Sequence, residues 1–303
     1  MKDINTYEAV SRMQAYIKNH LHQTITLYQL ASVSGYSMWH ASRLFKELTG
    51  KTPFEYIRSL RLTKAALDLR DQDHQIIDVA FDYLFDSHEG FTKAFTKQFG
   101  INPSLYKQKT PPIKLFLPSN VKDYYLFLNQ KPKEYNMDQS FIFTQVVKRP
   151  KRKLILKRGI KAEDYFAYCE EVSCDVWGEL LSIKNAISEP AGYWLPKHLR
   201  DGKSTYVQGV EVNLDDQTEI PKGYDVLILD EAYYLIFQGE PYEDEELNYA
   251  HAIHDVKEAI KKFKPETYGY EFTDIYPRYQ LEPQGERGYI EAVGIKPLSK
   301  HTF

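Results

Sequence analysis

The chain has 303 residues, a length that accommodates two domains of ordinary size. Hydrophobic residues make up 43% of it and charged residues 27%, which is the balance of a globular protein rather than a disordered or fibrous one. No stretch approaches the roughly 18 consecutive apolar residues of a membrane-spanning helix, and the first residues lack the apolar core of a signal peptide. A cytoplasmic protein that does not bind membranes is therefore expected.

Charge is divided unevenly along the chain. Residues 1–112 carry 14 basic and 11 acidic side chains, a net charge of +3, whereas the remainder carries 25 basic and 31 acidic side chains, a net charge of −6. A basic front half joined to an acidic rear half fits a nucleic-acid-binding module attached to a domain that does not touch nucleic acid.

Residue types that hold metals or cofactors are sparse. Cys169 and Cys174 are the only cysteines, too few for a disulfide framework or a four-thiolate zinc site, and both are expected to be reduced thiols. The histidines show no ligand spacing, and no phosphate-binding loop is found in the sequence. The acidic run at residues 243–246 is predicted to be a solvated helix start. Neither a metal nor a cofactor is expected.

Residues 5–106 are predicted to form consecutive short helices. Apolar side chains at three-and-four spacing indicate a first helix, and a second begins near residue 25. Gly35 then makes a turn, Ser37 caps a third helix and Gly50 ends it. A capping box at residues 52–55, with proline at the first helical position, starts a long helix over residues 53–69. The predicted buried positions are Tyr7, Val10, Met13, Ile17 and Leu21 in the first helix, and Ala41, Leu44, Phe45 and Leu48 in the third.

The same pattern then recurs. Residues 76–80 repeat the short helix, Asp86-Ser87 repeats the cap, and residues 100–106 repeat residues 50–56. Two copies of a short helix, a turn and a second helix, bridged by one long helix, predict an all-α domain of tandem helix-turn-helix units over residues 1–110. Paired prolines after Thr110 end this region, and residues 111–140 are predicted to be a linker or strap. The repeated apolar face consists of Phe91, Ala94, Phe95 and Phe99.

In each copy, the helix after the turn is predicted to enter the DNA major groove. Arg43 can donate a bidentate pair to guanine, Trp39 can pack on thymine methyls, and Ser42 can bond to a base edge or a phosphate. Lys93 can reach guanine or a phosphate, whereas Glu89 repels phosphate unless it accepts from a cytosine amine. The second helix is therefore expected to position the protein on DNA more than to read the base sequence. The predicted DNA-binding residues are Trp39, Ser42, Arg43, Lys46, His88, Glu89, Thr92 and Lys93.

These side chains have a simpler interpretation as the solvated faces of a helical bundle, which is what exposed Lys, His and Thr side chains usually are. A single helix-turn-helix pattern would leave the two interpretations about even. The tandem repeat with matching caps favours binding to double-stranded DNA.

The front half resembles the AraC/XylS family of transcription regulators, over residues 5–108. In that family, the positions that match Trp39, Ser42 and Arg43 and those that match His88, Glu89, Thr92 and Lys93 face the DNA. This chain departs from the family pattern at His88-Glu89, at Lys93 and at Leu84, where glutamines, arginine and glycine are common. The residues that carry the resemblance are Leu30-Ala31, Gly35-Tyr36-Ser37, Trp39-His40, Arg43-Leu44-Phe45-Lys46, Gly50, Thr52-Pro53, Ala80, Tyr83, Phe85-Asp86-Ser87, Phe91-Thr92, Ala94-Phe95, Phe99-Gly100, Pro103 and Tyr106.

From residue 141 the hydrophobic period changes to that of alternating strands with two longer helices. The helices are predicted over residues 163–186 and 245–263. A duplicated strand-helix-strand-strand unit then forms one antiparallel sheet layered with two helices, an α+β domain over residues 141–303. The predicted strands are 141–147, 154–157, 192–195, 206–212, a pair within 224–240, 268–279 and 289–295.

The sharpest feature of the rear half is the strand-like run at residues 288–295. Strict alternation puts Glu291 on one face with Tyr289, Val293 and Ile295. Burial costs about 2 to 7 kcal/mol for an uncompensated neutral polar group and more for an ion, so this carboxylate should be paired, protonated or used. An aromatic cavity with an anionic base suits a lipophilic cation. The candidate ligand-binding residues are Glu291, Trp177, Tyr193, Trp194, Tyr206, Tyr233, Tyr268, Tyr270 and Tyr276.

Alternation alone leaves an equal alternative for Glu291, which is a salt bridge to a basic residue of a neighbouring strand, such as Arg278 or Lys157. The aromatic residues have an alternative as ordinary strand packing.

The rear half is similar to the GyrI-like effector-binding domain, over residues 141–298, and in Rob-like regulators this domain follows an AraC-type module in the same order. The carriers are the doubled strand-helix-strand-strand order, the strand at residues 232–239, Asp274-Ile275-Tyr276-Pro277 and Glu291. In drug-sensing members, an acidic residue at the position of Glu291 meets the positive charge of the ligand. Many members have proline where this chain has Ile295.

The resemblance implies a regulator that binds a promoter, recruits RNA polymerase as an activator and senses a small molecule, with a cationic aromatic compound as the first candidate. Two alternatives stay open for the rear domain. It hydrolyses a reactive aromatic compound with Glu291 as acid or base, or it binds a protein partner and holds Glu291 in a salt bridge inside a filled cavity. The protein is not expected to be an enzyme, and hydrolysis by the rear domain is the less favoured alternative.

Overall fold

The computed structural model describes residues 4–118, 120–122, 125, 141–173, 175–242 and 248–298. The chain divides into two compact units, Met1–Pro132 and Lys133–Phe303, which we name the helical unit and the sheet unit. Within the described ranges, none of the helices is long and apolar enough to cross a membrane. Those ranges also contain no group of three or more His, Cys, Asp or Glu side chains that could hold a metal ion.

The described part of the helical unit consists of seven helices, which form the two predicted helix-turn-helix copies and a preceding helix. Helices α2 and α3 form the first copy, α5 and α6 form the second, and α4 bridges them. The helices are α1 (Ile4–Asn19), α2 (Leu27–Ser34), α3 (Met38–Thr49), α4 (Pro53–Asp71), α5 (Ile76–Asp82), α6 (His88–Phe99) and α7 (Pro103–Lys109).

The boundaries of α3 and α6 follow from matching caps. The Ser37 hydroxyl accepts from the His40 amide at the start of α3, and the Ser87 hydroxyl accepts from the Gly90 amide at the start of α6. Both helices end in a glycine with positive φ, which avoids the Cβ clash that other residues meet there. The predicted tandem helix-turn-helix fold is therefore confirmed.

Each copy has its own aromatic core. In the first copy, Phe45 of α3 and Tyr56 of α4 meet edge to face at 5.0 Å, and both are buried. In the second copy, the ring of Phe95 lies 5.6 Å from Phe91 and 5.6 Å from Tyr106. Full burial of such a side chain stabilises the fold by about 1.5–3 kcal/mol. This packing uses one face of α3 and of α6 and leaves the other face exposed.

The described residues after α7 pack on the helical unit. The Phe116 amide donates to Thr63 Oγ1 of α4 at 2.9 Å, and the Val121 amide donates to Gln14 Oε1 of α1 at 3.0 Å. Residues 111–118 and 120–122 thus lie against the helices as a strap. Most of the predicted linker beyond residue 122 lies outside the described residues.

The sheet unit contains one antiparallel sheet in the order β1-β6-β9-β8-β3-β4-β2-β5, with β7 paired to β9 outside that path. Helices α8 and α9 follow β2, and α10 follows β6. The elements are β1 (Phe143–Arg149), β2 (Arg152–Arg158), α8 (Tyr165–Val172), α9 (Val176–Leu181), β3 (Ala191–Trp194), β4 (Tyr206–Asn213), β5 (Asp225–Leu229), β6 (Ala232–Gln238), α10 (Asn248–Lys262), β7 (Tyr270–Phe272), β8 (Arg278–Leu281) and β9 (Ile290–Pro297).

The sheet has an internal duplication whose centre lies between β3 and β8. Gly192 of β3 is opposite Gln280 of β8. Gly192 is also paired with Gln208 of β4, and Gln280 is paired with Glu291 of β9. The register therefore matches residues 206–212 (YVQGVEV) to residues 289–295 (YIEAVGI). The predicted α+β fold with a duplicated unit is confirmed.

Helices cover one face of this sheet, which we name the helix-bearing face. Val176 of α9 packs with Val210 of β4, and Val256 of α10 packs with Phe237 of β6. Because side chains alternate along a strand, Glu291 lies on the helix-bearing face and its neighbour Ala292 on the opposite face.

One predicted helix, residues 163–186, is wrong as a single element. It is divided into α8 and α9, so the described sheet unit has three helices instead of two. Ser173 has a φ of 94°, which cannot continue a helix, and its amide closes α8 on the carbonyl of Cys169. Farther on, Ala186 pairs with Val212 as an isolated bridge.

Two other boundaries differ from the prediction. The predicted strand at residues 268–279 is divided into β7 and β8 by residues 273–277, and Pro277, which has no amide to donate, directly precedes β8. Helix α10 is described from Asn248, and the predicted start at Glu245, with the acidic run, lies outside the described residues.

Candidate DNA-binding helices and effector site

The exposed side of α3 presents an aromatic and a cationic side chain together. Trp39 is 71% exposed, and the Arg43 guanidinium lies 5.0 Å from the centre of its ring. Arg43 Nε is also 3.8 Å from Glu47 Oε1, a long contact between two exposed groups. Exposed pairs of this kind are worth about 0–1 kcal/mol, so Arg43 is free to exchange Glu47 for a base. Ser42 is half-buried and Lys46 is exposed on the same helix.

The exposed side of α6 is different in charge. Lys93 Nζ lies 2.8 Å from Glu89 Oε1, and both side chains are exposed. An exposed pair of this kind is also worth about 0–1 kcal/mol, so the ion pair itself does not keep Lys93 from DNA. The difference is that Glu89 lies in the first turn of α6, where its negative charge repels a phosphate. His88 is exposed, but Thr92 is half-buried and its hydroxyl has no hydrogen-bond partner in the described part of the chain.

The turns before the two helices also differ. Gly35 in the first copy has a φ of 75°, which glycine adopts without strain. Leu84 in the second copy has a φ of 58°, which costs a residue with a Cβ about 1–2 kcal/mol. Both turns nevertheless place an N-cap serine at the start of the following helix.

Helix α4 sets the distance between the copies. It has 19 residues, which corresponds to a length of about 28 Å. One turn of B-DNA is about 34 Å, so two helices held this far apart suit successive major-groove segments on one side of a duplex.

Glu291 forms the centre of a polar cluster on the helix-bearing face. Its side chain is 0% exposed. The Arg278 guanidinium donates to Oε1, and the Tyr289 hydroxyl lies 2.9 Å from Oε2 and 2.7 Å from Gln280 Oε1. Burial, together with the adjacent Glu291 carboxylate, raises the pKa of Tyr289, so its hydroxyl keeps its proton and donates. The Glu291 carboxylate is thus paired with Arg278, one of the two basic residues that the sequence indicated as candidate partners.

Aromatic rings border this cluster. Trp194 lies 5.3 Å from the Arg278 guanidinium and 5.3 Å from the ring of Tyr206. A Cβ at Gly192 would meet the Tyr206 hydroxyl at 2.1 Å, so only glycine leaves room for this ring. The Arg278 side chain remains 39% exposed, which makes its guanidinium the accessible charge of the cluster.

The duplicate of Glu291 is an uncharged residue. Gln208 matches it in the register of the first half and is 1% exposed. Its Oε1 has no hydrogen-bond partner among the residues that the structure describes. An unpaired buried acceptor costs about 1–3 kcal/mol, so this face carries a polar atom that a donor would stabilise.

Comparisons with known proteins cover the helical unit. A family model described as a helix-turn-helix domain matches residues 30–109. The chain is 41% identical over 108 residues to the transcriptional regulator Rob of Salmonella typhimurium, a match that covers 33% of this chain and 37% of Rob. It is 39% identical over 98 residues to the transcriptional activator AarP of Providencia stuartii, which covers 32% of this chain and 73% of AarP.

A further match decides the family. The chain is 37% identical over 95 residues to the regulatory protein SoxS of Escherichia coli, which covers 31% of this chain and 89% of SoxS. The chain belongs to the AraC family of helix-turn-helix transcription regulators. The match to Rob spans little more than a third of the length of Rob.

In this AraC-family chain, the structure brings only part of the predicted ligand set to Glu291. Trp194 and Tyr206 lie on the helix-bearing face beside it. Tyr193 and Tyr276 lie on the opposite face, where Tyr193 contacts Tyr279 at 5.6 Å and Tyr276 contacts Tyr234 at 6.2 Å. The structure therefore does not bring Tyr193 or Tyr276 to the carboxylate.

The remaining predicted ligand residues lie elsewhere in the sheet unit. Tyr233 contacts Tyr270 at 6.2 Å, and Tyr268 stacks on Phe263 at 5.6 Å. Trp177 is half-buried on α9, and none of the ring contacts within the described residues joins it to Glu291. In contrast, Arg278, Gln280, Tyr289 and Gln208 belong to the cluster and were not predicted as ligand residues.

A second buried carboxylate lies on the opposite face. Glu211 is 1% exposed and forms ion pairs with Arg149 and Arg152. Arg152 Nε lies 2.8 Å from Glu211 Oε2, and the Arg152 side chain is also 1% exposed. Arg152 also lies 5.8 Å from the ring centre of Tyr234. Sequence reasoning missed this cluster, although alternation along residues 206–212 places Glu211 with the buried Val207 just as it places Glu291 with Tyr289.

Proposed function

We propose that this AraC-family regulator binds one site on double-stranded DNA with α3 and α6 in successive major-groove segments, and that α3 reads most of the sequence. The observation that carries this is the difference between the two exposed helix faces. Arg43 has a long and weak contact to Glu47, whereas Lys93 is in close contact with Glu89. A weakly paired guanidinium beside an exposed indole can contact guanine and an adjacent thymine methyl.

The proposal includes activation of transcription through contact with RNA polymerase. Its support is family membership, since one relative is itself called a transcriptional activator. A cytoplasmic location follows from the same role.

The proposal also assigns the sensing of a small molecule to the sheet unit, at the cluster around Glu291. Three features of that cluster support this assignment: a buried ion pair, an accessible guanidinium on an indole ring, and an unpaired amide oxygen on the same face. Coupling requires the ligand to bind one arrangement of the protein better than another.

Two other functions of the sheet unit have less support. Hydrolysis with Glu291 as acid or base needs contact with water or substrate, whereas the carboxylate is fully buried and paired. A protein-binding role is favoured by the ion pair between Glu291 and Arg278, which is the state predicted for a filled cavity. It does not account for an exposed Arg278 stacked on Trp194.

The test combines DNA selection with a ligand screen on the full chain. DNA enriched from a random duplex pool should contain a bipartite sequence, and affinity for it should fall steeply with salt. Aromatic acids, cations and neutral compounds of similar shape are then screened by thermal shift, because a ligand that binds the folded form raises the melting temperature. A hit should change DNA affinity in wild type but not in Trp194→Ala. A hit whose effect survives in Trp194→Ala contradicts the site, and sequence-independent DNA binding contradicts the assignment of α3.

A further inference from the structure

The ion pair at Glu291 contains both parts that a lipophilic cation would need. Such a ligand is stabilised by the face of an aromatic ring and by a counter-ion that is kept from water. Here the aromatic ring is Trp194 and the counter-ion is Glu291. Both are already in contact with the guanidinium of Arg278, which lies 5.3 Å from the ring of Trp194 and donates to Glu291 Oε1.

The two members of the ion pair differ in solvent exposure. Glu291 is 0% exposed, whereas the Arg278 side chain is 39% exposed. The guanidinium is therefore the solvent-accessible member of the ion pair, and the carboxylate is the buried one. Removal of Arg278 would leave a buried negative charge and a free indole face at the same place.

We propose that Arg278 is a specificity-determining residue of the effector site: its guanidinium occupies the cation position between Trp194 and Glu291, so the wild-type site excludes lipophilic cations. This inference rests on the proposed function in that it names the ligand class of the same site. The ligands that remain compatible are aromatic compounds that carry a hydrogen-bond acceptor for Arg278 instead of a positive charge.

The exclusion is expected to be strong because Arg278 is part of the chain. A tethered group competes at an effective concentration on the order of millimolar for short flexible connections. The loss in apparent affinity of a free cation is one plus this effective concentration divided by the dissociation constant of the guanidinium at the same position, so a guanidinium with a dissociation constant of about 0.1 mM lowers it about tenfold.

Lys157 provides a matched control. It was the other basic residue considered as a partner of Glu291, but it lies on β2 opposite Gln208, with β4, β3 and β8 between it and Glu291. Its Nζ lies 5.2 Å from the ring centre of Tyr224. Lys157→Ala removes one positive charge from the same domain without opening the position beside Glu291.

The experiment measures binding of tetraphenylphosphonium to the full chain by calorimetry, with uncharged triphenylphosphine oxide as the neutral probe. We expect Arg278→Ala to bind the cation at least tenfold more tightly than wild type, Arg278→Lys or Lys157→Ala. The gain should be absent in Arg278→Ala combined with Glu291→Gln, and absent for the neutral probe. Circular dichroism checks that each variant is folded.

A folded Arg278→Ala chain with no gain in cation affinity overturns the proposal, and so does wild type that binds the cation through Glu291 as tightly as the variant. If Arg278→Ala does not fold alone, millimolar methylguanidine should restore its melting transition and leave Lys157→Ala unchanged; no restoration overturns the proposal. No DNA and no natural effector enter this measurement, so its failure is distinct from failure of the proposed function.

Discussion

The helical unit and the sheet unit are each built by duplication, and the two duplications diverge in the same manner. In the helical unit, both copies keep the N-cap serine, Ser37 or Ser87, and a C-cap glycine with positive φ. In the sheet unit, both halves keep a tyrosine at the matched position, Tyr206 or Tyr289. The shared residues set the backbone or fill the core.

The divergent residues are those that we propose to face DNA or an effector. The pair Trp39 and Arg43 of α3 contrasts with the pair Glu89 and Lys93 of α6. In the sheet, Gln208 of the first half stands at the position of Glu291 in the second. The duplicated residues thus give each unit two similar copies of the backbone, and the proposed binding residues differ between the copies.

The largest expected difference between the two units is in alkaline stability. Among the described residues, burial raises the pKa of seven tyrosines in the sheet unit and of three in the helical unit. They are Tyr168, Tyr193, Tyr206, Tyr224, Tyr234, Tyr279 and Tyr289, and Tyr56, Tyr83 and Tyr106.

Because the unfolded chain loses these protons near pH 10 and the folded chain keeps them, the free energy of unfolding falls as pH rises above 10. The sheet unit should therefore unfold at lower pH than the helical unit. In a Trp39→Phe background, tryptophan fluorescence follows the sheet unit and ellipticity at 222 nm follows mainly the helices. A helical transition that precedes the fluorescence transition contradicts this expectation.

A second prediction concerns the carboxylate on the opposite face. Glu211→Gln leaves Arg152, which is 1% exposed, without its counter-ion. Removal of one partner of a buried ion pair typically costs about 3–5 kcal/mol. Urea unfolding followed by the fluorescence of the sheet unit measures the loss.

The control for this variant is Glu271→Gln. Glu271 pairs with Lys296 at 3.1 Å on the same sheet, but both side chains are exposed. This change should alter the free energy of unfolding by less than about 0.5 kcal/mol. Equal losses for the two variants would show that burial of Glu211 has no energetic consequence.

The third prediction separates the two recognition helices. Arg43→Ala should cost about 1–3 kcal/mol and relax preference at one base pair, whereas Lys93→Ala should weaken all sequences by a smaller and equal factor. Fluorescence anisotropy on a set of single-base variants measures both. Lys64→Ala, exposed on the bridging helix α4, is the control and should change neither. Loss of base preference in Lys93→Ala alone would reverse the roles of α3 and α6.

The smallest predicted effect lies in the two turns. Gly35→Ala should destabilise the helical unit by about 1–2 kcal/mol, because alanine is strained at a φ of 75°. Leu84→Gly removes the corresponding strain, although glycine also gains freedom in the unfolded chain, so the net gain should be at most about 1 kcal/mol. Thermal unfolding at 222 nm measures both changes. A stabilising Gly35→Ala would mean that the turn is not held in this conformation.

Local signals allowed most of the fold to be predicted. Caps, turn glycines and the three-and-four spacing depend on a few neighbouring residues, and they located α3 and α6 to the residue. The break at Ser173 has no such local signal, because a serine with a φ of 94° is held there by the surrounding fold.

The candidate site was predicted in part for the same reason. Alternation placed Glu291 on a buried face, but it does not say which residues of other strands share that face. A change of one residue in register reverses the faces of a strand, and this decides that Trp194 lies beside Glu291 while Tyr193 does not. The choice between Arg278 and Lys157 likewise depended on strand order, which puts β8 directly beside β9.

The role of α3 is tested most directly by selection of DNA from a random duplex pool with the full wild-type chain and with Arg43→Ala in parallel. Wild type should enrich a bipartite sequence with its segments about one helical turn apart, and Arg43→Ala should lose preference in one segment only. Enrichment of the same sequence with equal preference by both proteins would contradict the assignment of α3 as the reading helix.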